Sequence, residues 1–305
     1  MKILITGVTG YIGGSVAKVL VDRGHQVSGL ARSEEHSAKL KQLGIEPIIG
    51  SMADEELLVK AASAVDGVVN CADSDNAFAV STIVQALCGT SKFFIHTSGS
   101  STVADRAAGE ASDKVFHEDI PPDPVVEKAG RVAIDRYILS AALKNVRSIV
   151  ICPCLIYGDG LGIKKDSQQI PMLIECAKKS GSGRYIGKGL NIWSNVHIED
   201  LAELYALVVE KGTAGSYFYA ENGEASMKDV AVSISKLLGF SGKTESMPIS
   251  EAVKKWGPGA AYFALSSNSR INADKARKML GWKPSKRPLL DDIEKGSYTK
   301  HVVTA

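Results

Sequence analysis

The sequence predicts an α/β protein built on a doubly wound parallel sheet, and two observations carry this prediction. Short apolar segments rich in β-branched residues alternate with longer segments whose apolar residues recur at helical spacing. Gly24 and Gly44 directly follow two of the helical segments and Gly89 ends a third, where helix C-caps are expected. Crossovers of this length are right-handed, so we expect a ligand crevice beyond the carboxyl ends of the strands.

The predicted elements alternate regularly through the first half of the chain. Strands are predicted at residues 2–6, 26–31, 46–50, 67–71, 93–97 and 148–153, with helices at 13–23, 34–43, 54–65, 77–89 and 128–143. Beyond about Gly158 the alternation fades, with helices predicted at 167–180, 199–211, 226–238 and 273–280 and a strand at 216–220. We therefore expect a nucleotide-binding domain over residues 1–158. Residues 159–305 should form a small mixed α/β lobe, interleaved with that domain.

Composition narrows the possible partners and compartment. The 305 residues are 45% hydrophobic and 23% charged, and 36 basic against 34 acidic residues leave a net charge of +2. This charge is too small to predict a nucleic-acid or membrane surface, and no apolar run reaches the roughly 18 residues of a membrane span. The first strand is predicted to begin at Lys2, so no signal peptide is expected, and the five cysteines lack the spacing of a disulfide framework. A cytoplasmic protein with a small-molecule substrate is expected, without a metal site. Cys152 and Cys154 are expected to be packing thiols rather than a redox pair.

A glycine-rich turn is the most informative feature of the chain. Gly7, Gly10 and Gly13 lie directly between the first predicted strand and the first predicted helix. Such a turn needs a glycine for its reversal, a second for approach to a pyrophosphate and a third for helix packing. The helix start also offers free N–H groups to an anion. The sequence therefore predicts a dinucleotide site here, with Thr9, Tyr11 and Ile12 as further members.

Two segments outside this pattern remain open to interpretation. The polar, proline-containing loop over residues 99–124 follows a strand end, so it is expected either as a wall of the substrate site or as a surface excursion. The aromatic segment 256–263 could line a pocket or simply pack within the small lobe.

In its motifs the chain resembles the extended short-chain dehydrogenase/reductase superfamily, the group related to nucleotide-sugar epimerases and dehydratases. The resemblance is carried in order by residues 6–13 (TGVTGYIG), 94–103 (FIHTSGSSTV), 153–158 (PCLIYG), 196–202 (VHIEDLA) and 280–284 (LGWKP). It implies a Rossmann domain with a small C-terminal substrate lobe, and a possible homodimer.

The second predicted strand suggests which coenzyme is bound. In this architecture a carboxylate at the end of that strand selects NAD, whereas an arginine pairs with the 2′-phosphate of NADP. Here Ala31 takes the carboxylate position and Arg32 follows, which favours NADP, although a solvated Arg32 would leave NAD possible. The resemblance implies further cofactor contacts along the strand ends. Ser51 and Met52 should flank the adenine, and the ribose or pyrophosphate should be touched by Asn70, Cys71 and Ala72. Thr97 and Ser98 should lie beneath the nicotinamide ribose, and the backbone around Pro153 and Leu155 near the carboxamide.

The family's usual active site is altered in this chain. The resemblance implies a Ser, a Tyr and a Lys, and Ser100 matches the serine, with Ser98 and Ser101 as close rivals. Glu127 occupies the tyrosine position and Arg131 the lysine position, so the Tyr-x-x-x-Lys dyad is absent. Glu127 could act as an acid only if burial raised its pKa, and Arg131 is a poor proton donor. Tyr157 is a further candidate for a phenol at a strand end.

These observations predict an NADP-dependent oxidoreductase of the atypical short-chain type, acting on a small carbonyl or alcohol. Hydride chemistry resides mainly in the cofactor, so a reductase can function without the tyrosine. Two alternatives stay open: a nucleotide-sugar epimerase or dehydratase, and an NAD(P)-binding sensor or regulator without turnover.

Overall fold

The computed structural model describes residues 1–118 and 122–302, and it confirms the doubly wound parallel α/β fold. The strands are β1 (Lys2–Thr6), β2 (Gln26–Ala31), β3 (Glu46–Ile49), β4 (Gly67–Asn70), β5 (Phe93–Thr97), β6 (Arg147–Pro153), β7 (Leu155–Tyr157), β8 (Gly183–Ile186), β9 (Ile192–His197), β10 (Ser216–Ala220), β11 (Glu224–Ser226) and β12 (Thr244–Met247).

The helices lie mainly between the strands. They are α1 (Tyr11–Asp22), α2 (Glu34–Gln42), α3 (Glu55–Ser63), α4 (Ala77–Leu87), α5 (Val126–Ser140), α6 (Gln169–Ser180), α7 (Ile198–Lys211), α8 (Met227–Leu237), α9 (Ile249–Ala260), α10 (Asp274–Leu280) and α11 (Leu289–Lys295). A π-helical segment, Ala261–Leu265, continues directly from α9.

Within the described residues the main sheet has seven parallel strands in the order β10-β6-β5-β4-β1-β2-β3. The strand order reverses at β1, which pairs with β2 on one side and β4 on the other. A switch point of this kind opens a crevice at the carboxyl ends of the two strands, where ligands bind in open α/β sheets. Gly7 and Cys71 follow these two strand ends.

The side chains of β1 alternate between the two faces of the main sheet, and helices pack on both faces. Ile3 and Ile5 belong to a core cluster that also includes residues of α1 and α7, whereas Leu4 belongs to a second cluster with residues of α4 and α5. All three side chains are fully buried. Successive residues of a strand face opposite sides, and each buried aliphatic side chain stabilises the fold by about 1.5–3 kcal/mol.

The second half of the chain contributes both to this sheet and to a smaller lobe. Strand β10 pairs in parallel with β6, and α7 packs against α1, so residues 198–220 lie on the first sheet although they follow residue 158. The remaining small sheets, β11-β9-β7 and β12-β8, surround a separate core cluster that contains Tyr157, Ile174 and Ile234. Within the described residues, no helix has both the length and the apolar character needed to cross a membrane.

The loop after β5 packs onto the small lobe. It begins with a 3₁₀ turn, Ser100–Val103, and Asp105 then accepts hydrogen bonds from the backbone and side-chain amides of Asn268 at 2.8 and 2.9 Å. Farther along, Phe116 forms an isolated parallel bridge with Ile271. The loop therefore connects the sheet to the small lobe beside the crevice; its residues 119–121 lie outside the described part of the chain.

A second loop, residues 158–168, is held by the C-terminal segment. The hydroxyl of Tyr298 accepts the backbone N–H of Gly158 at 3.1 Å and contacts the Ser167 hydroxyl at 2.9 Å. The Lys300 ammonium pairs with Asp159 at 2.5 Å and Asp166 at 2.9 Å. We call residues 158–168 the rim loop, because three of its residues line the cleft described below.

Candidate cofactor and substrate site

The turn between β1 and α1 can accept only glycine at its first position. Gly7 has φ +72°, and a Cβ there would lie 2.7–2.8 Å from backbone atoms of Cys71 and Ala72. Both the left-handed backbone and the neighbouring strand end exclude a side chain. The turn is therefore pressed against the segment that follows β4, at the switch point of the sheet.

The third glycine of the turn brings helix α1 close to the loop. A Cβ on Gly13 would lie 2.3 Å from the carbonyl oxygen of Gly7, and the Gly10 N–H donates to that same oxygen at 2.9 Å. Gly10 is the N-cap of α1 and provides no side-chain cap, so the first-turn N–H groups are available to an anion. This narrow cradle fits a pyrophosphate, with Gly7, Thr9, Gly10, Tyr11, Ile12 and Gly13 as the residues that would hold it.

The predicted adenosine end lies at the carboxyl ends of β2 and β3. Ala31 is fully buried, and the Arg32 side chain that follows it is exposed. Ser51 is also exposed, and Met52 packs against a small apolar cluster that contains Leu30. No carboxylate directly follows β2 in this arrangement, and the Arg32 guanidinium is accessible to a phosphate. Coenzyme contacts at these positions remain predictions.

The structure corrects the expectation for the Asn70 side chain. Asn70 is 1% exposed; its Oδ1 accepts hydrogen bonds from Thr6 Oγ1 and from the Ala72 N–H, and its Nδ2 lies 3.0 Å from Nδ1 of His96. Because both the oxygen and the nitrogen of the Asn70 amide bond to neighbouring strand ends, the side chain braces the ends of β1, β4 and β5 rather than facing a ribose. Since Nδ2 donates to Nδ1, a neutral His96 carries its proton on Nε2.

Thr97 and Ser98, expected beneath the nicotinamide ribose, also direct their hydroxyls inward. Each side chain is 4% exposed; Thr97 Oγ1 lies 2.6 Å from the Tyr205 hydroxyl, and Ser98 Oγ donates to Asp135 Oδ2 at 2.6 Å. The second carboxylate oxygen of Asp135 stands 4.0 Å from Nε2 of His96, and neither atom has a hydrogen-bond partner among the described residues. Side-chain contacts from Thr97 and Ser98 to a cofactor are therefore not supported.

Burial makes the Asp135 carboxyl group a weaker acid than an exposed aspartate. Burial raises the pKa of Asp135 from 3.8 to about 7, although the Ser98 hydrogen bond and Arg131 act in the opposite direction. Burial and the nearby Arg131 lower the pKa of His96 to about 4. The two groups thus favour a neutral imidazole beside a carboxyl group that titrates near neutrality.

A cleft of about 540 Å³ opens between the glycine turn, the loop after β5, the start of α5 and the small lobe. It brings together six of the residues predicted from the sequence, namely Tyr11, Ile12, Cys71, Ser100, Arg131 and Pro153. The small lobe contributes Trp193 and Phe263, so the aromatic segment 256–263 does line a pocket. Tyr11 also donates its hydroxyl proton to the Gly158 carbonyl at 2.8 Å, which joins the turn to the rim loop.

Ser100 lies at the inner end of this cleft. It is 1% exposed, and Ser269 Oγ lies 2.8 Å from both its carbonyl oxygen and its Oγ. Ser269 has one hydroxyl proton for these two acceptors; when it donates to Ser100 Oγ, the Ser100 hydroxyl keeps its own proton for another acceptor. Its rival Ser98 is directed inward, whereas Ser101 lines the cleft and receives a hydrogen bond from Nη1 of Arg131 at 3.4 Å.

Arg131 reaches the cleft but is already paired. Its Nε and Nη2 grip both oxygens of Asp75, with the Nε bond at 2.8 Å. This fork also lowers the pKa of Asp75. A bidentate pair of this kind fixes the guanidinium plane. Arg131 is therefore placed to orient neighbouring groups, while its charge is balanced.

The candidate acid at the tyrosine position is corrected by the structure. Glu127 is exposed and pairs with Arg106. Its backbone hydrogen bond and that pairing lower the pKa of Glu127, which is opposite to the shift that a general acid requires. Glu127 also lies outside the residues that line the cleft.

The expectation for Tyr157, at the end of β7, is also corrected. Tyr157 is fully buried in the small-lobe core, where its hydroxyl donates to the Arg287 carbonyl at 2.8 Å and its ring meets His197 edge-on. Its phenol therefore does not reach the cleft. The Leu155 side chain is buried in the same core, and the expected contact between the backbone around Leu155 and a carboxamide remains a prediction.

Sequence reasoning missed several residues at this site. Lys128 lines the cleft one position after Glu127, and Phe263 faces it with the Lys128 ammonium 5.2 Å from the ring centroid. Asp75, the partner of Arg131, and Asp135, the partner of Ser98, were not predicted either. For Asp135 the sequence does contain a signal, because it lies four residues after Arg131 on one helix and so on the same face.

Comparisons with known proteins agree with this geometry. The model of the NAD dependent epimerase/dehydratase family matches residues 3–218. An uncharacterized protein of Schizosaccharomyces pombe is 31% identical over 98% of this chain and 100% of its own length. The 2-alkyl-3-oxoalkanoate reductase of Stenotrophomonas maltophilia is 30% identical over 73% of this chain and 71% of its own. The solved structure of dTDP-glucose 4,6-dehydratase from Bacillus anthracis with NAD covers 100% of this chain and 97% of its own, with a TM-score of 0.79; at 18% identity this likeness shows the fold.

Proposed function

Because this chain belongs to the NAD dependent epimerase/dehydratase family, we propose that it is an NADP-dependent oxidoreductase that reduces a small carbonyl compound. The observation that carries the proposal is the joining of the glycine turn and Ser100 in one cleft, with Tyr11 and Ile12 on its wall. The 2-alkyl-3-oxoalkanoate reductase supports a ketone as the substrate class, since its name gives a ketone reduction.

Different residues of the chain bind the coenzyme, bind the substrate oxygen and exclude water. The glycine cradle holds the pyrophosphate, and the exposed Arg32 pairs with the 2′-phosphate. When bound, the coenzyme supplies the hydride. Ser100 donates a hydrogen bond to the substrate oxygen. Arg131, whose guanidinium is fixed by Asp75, donates a hydrogen bond to Ser101 on the wall of the cleft. Trp193 and Phe263 exclude water from the apolar side.

The test is steady-state oxidation of NADPH against a panel of ketones that includes 3-oxoalkanoates. We expect stoichiometric loss of NADPH and formation of the alcohol with at least one member. Tightly retained NAD with no net redox change on nucleotide sugars would instead indicate an epimerase. Binding of NADPH without turnover on any member would indicate a sensor.

Arg32 provides a separate test of the coenzyme. Arg32→Ala should weaken NADPH binding about tenfold, the equivalent of about 1.4 kcal/mol, because an exposed guanidinium–phosphate pair is lost. NADH binding should change less than twofold. Fluorescence titration with both coenzymes measures this, and an equal loss of affinity for both would contradict selection by Arg32.

A further inference from the structure

In the first turn of α5, the neighbouring residues Glu127 and Lys128 face different surroundings. Successive residues of a helix are rotated by about 100°. Glu127 turns to Arg106 and solvent, whereas Lys128, one residue later, is half-buried and lines the cleft. An ammonium group thus enters the cleft on the same helical turn where the family's tyrosine would lie.

The Lys128 charge is not neutralised by the described residues. None of them places a carboxylate oxygen within 4.0 Å of its Nζ, whereas Arg131 is held by Asp75. Instead, Nζ of Lys128 lies over the ring of Phe263, whose centroid is also 5.6 Å from the Arg106 guanidinium. An aromatic face stabilises a cation without accepting its proton.

Other charged groups near Lys128 come from each element around the cleft. Glu127 and Arg131 share its helix, and Asp75 follows β4. The rim loop contributes Lys164 and Asp166 to the cleft, and Asp166 is paired with Lys300 at 2.9 Å. Among the described residues that line the cleft, Lys164 is exposed and Arg131 is paired with Asp75, so the partly buried cation without a carboxylate partner is Lys128.

We propose that Lys128 is the proton donor of the reaction, in place of the missing tyrosine. The inference rests on the proposed function. The carbonyl carbon gains the hydride and is reduced, and the nicotinamide is oxidised by the same two electrons. The π electrons of the carbonyl bond become a lone pair on oxygen, which takes a proton from Nζ of Lys128. The resulting neutral amine regains a proton from water, which reaches it because the side chain is only half-buried.

The lowered pKa of Lys128 agrees with its proposed role as the proton donor. Burial and the neighbouring Arg131 lower the pKa of Lys128 from its ordinary 10.5. Both effects disfavour the charged amine, so they make proton release easier near neutral pH. The adjacent Asp75 and Glu127 act in the opposite direction but do not reverse the shift.

Two substitutions separate proton donation from charge alone. Lys128→Met keeps a long apolar side chain, and Lys128→Arg keeps the charge but does not release a proton at relevant pH. We expect both variants to lower kcat on the identified ketone by 10²- to 10⁴-fold, the usual range for loss of a general acid. The control Lys60→Met, on the exposed face of α3, should stay within twofold.

The pH profile and two binding measurements complete the test. Wild-type kcat should fall as pH rises through the pKa of Lys128, and this descending limb should be absent in Lys128→Met. NADPH affinity of both variants should stay within threefold, which shows that the fold and cradle are intact. In ¹³C NMR of the reductively methylated protein, the Lys128 signal should titrate below 10.5.

The failure outcomes are distinct. If Lys128→Arg keeps wild-type kcat, or if Lys128→Met raises only KM, then Lys128 contributes charge or binding and the acid role is overturned. If the wild-type protein binds NADPH but reduces no ketone, the proposed function fails, whatever the Lys128 variants do.

Discussion

Replacing Gly13 with alanine should weaken NADPH binding by at least tenfold, the equivalent of about 1.4 kcal/mol or more. The added Cβ would lie 2.3 Å from the carbonyl oxygen and 2.7 Å from the carbonyl carbon of Gly7. These are backbone atoms of a turn whose reversal already depends on φ +72°, so they cannot move aside like a flexible side chain. The start of α1 must shift away from the turn, and the cradle opens.

A matched control exists on another helix. Gly130, in α5, has no atom within 4 Å of an added Cβ and no positive φ, so Gly130→Ala should retain the wild-type Kd. The Kd of both variants is measured by fluorescence titration, with thermal unfolding to confirm that each is folded. A folded Gly13→Ala variant with wild-type affinity would show that the dinucleotide binds elsewhere.

Asp135 should make the protein's stability fall as pH rises from 4 to 8. Because its pKa is raised from 3.8 to about 7, the folded state holds a proton in this range that the unfolded state has released. The free energy of unfolding therefore decreases with pH, and the difference between the two pKa values corresponds to about 4 kcal/mol in total. Asp135→Asn removes this titration while keeping an oxygen for the Ser98 hydroxyl.

The measurement is urea unfolding of the parent and of Asp135→Asn at each pH. Their difference in free energy of unfolding should move by about 4 kcal/mol in favour of the variant between pH 4 and pH 8. His96 is present in both proteins, and its lowered pKa contributes a slope of the opposite sign. Asp75→Asn is the control: Arg131 lowers the pKa of Asp75 below its ordinary 3.8, so this carboxylate is ionised in both the folded and the unfolded state over most of this range, and the difference between this variant and the parent should change little between pH 4 and pH 8. A difference that stays constant across this range would contradict the buried-carboxyl interpretation.

The main sheet was predictable because its signals are local. The strands at 2–6, 26–31, 93–97 and 216–220 have the predicted bounds, since each is a short apolar run bounded by turn residues. The helix Ile249–Ala260 was not predicted, because Gly257 and Pro258 interrupt its pattern and Gly257 indeed adopts a non-helical φ of 79°. The short strands of the small lobe carry too few residues for a periodic signal.

The candidate site was predictable only where glycine geometry or a motif fixes it. The turn from Gly7 to Gly13 requires its residues for steric reasons that the sequence shows directly. The choice between Glu127 and Lys128 is different, because it depends on Arg106 and Phe263, which approach α5 from distant segments. Likewise, the hydrogen bond from Ser98 to Asp135 becomes visible only when α5 is packed against β6 and the 3₁₀ turn that follows β5.

The bonds from Tyr298 and Lys300 to the rim loop have a consequence for how the protein matures on the ribosome. Tyr298 and its partner Gly158 are 140 residues apart in sequence. At a synthesis rate of about 5–20 residues per second, the rim loop is made on the order of 10 s before Tyr298 is available to bind it. We expect nascent chains stalled before Tyr298 to be cut readily by protease within residues 158–168, and released chains to resist. Equal cleavage of both would show that the loop settles during translation without its late partner.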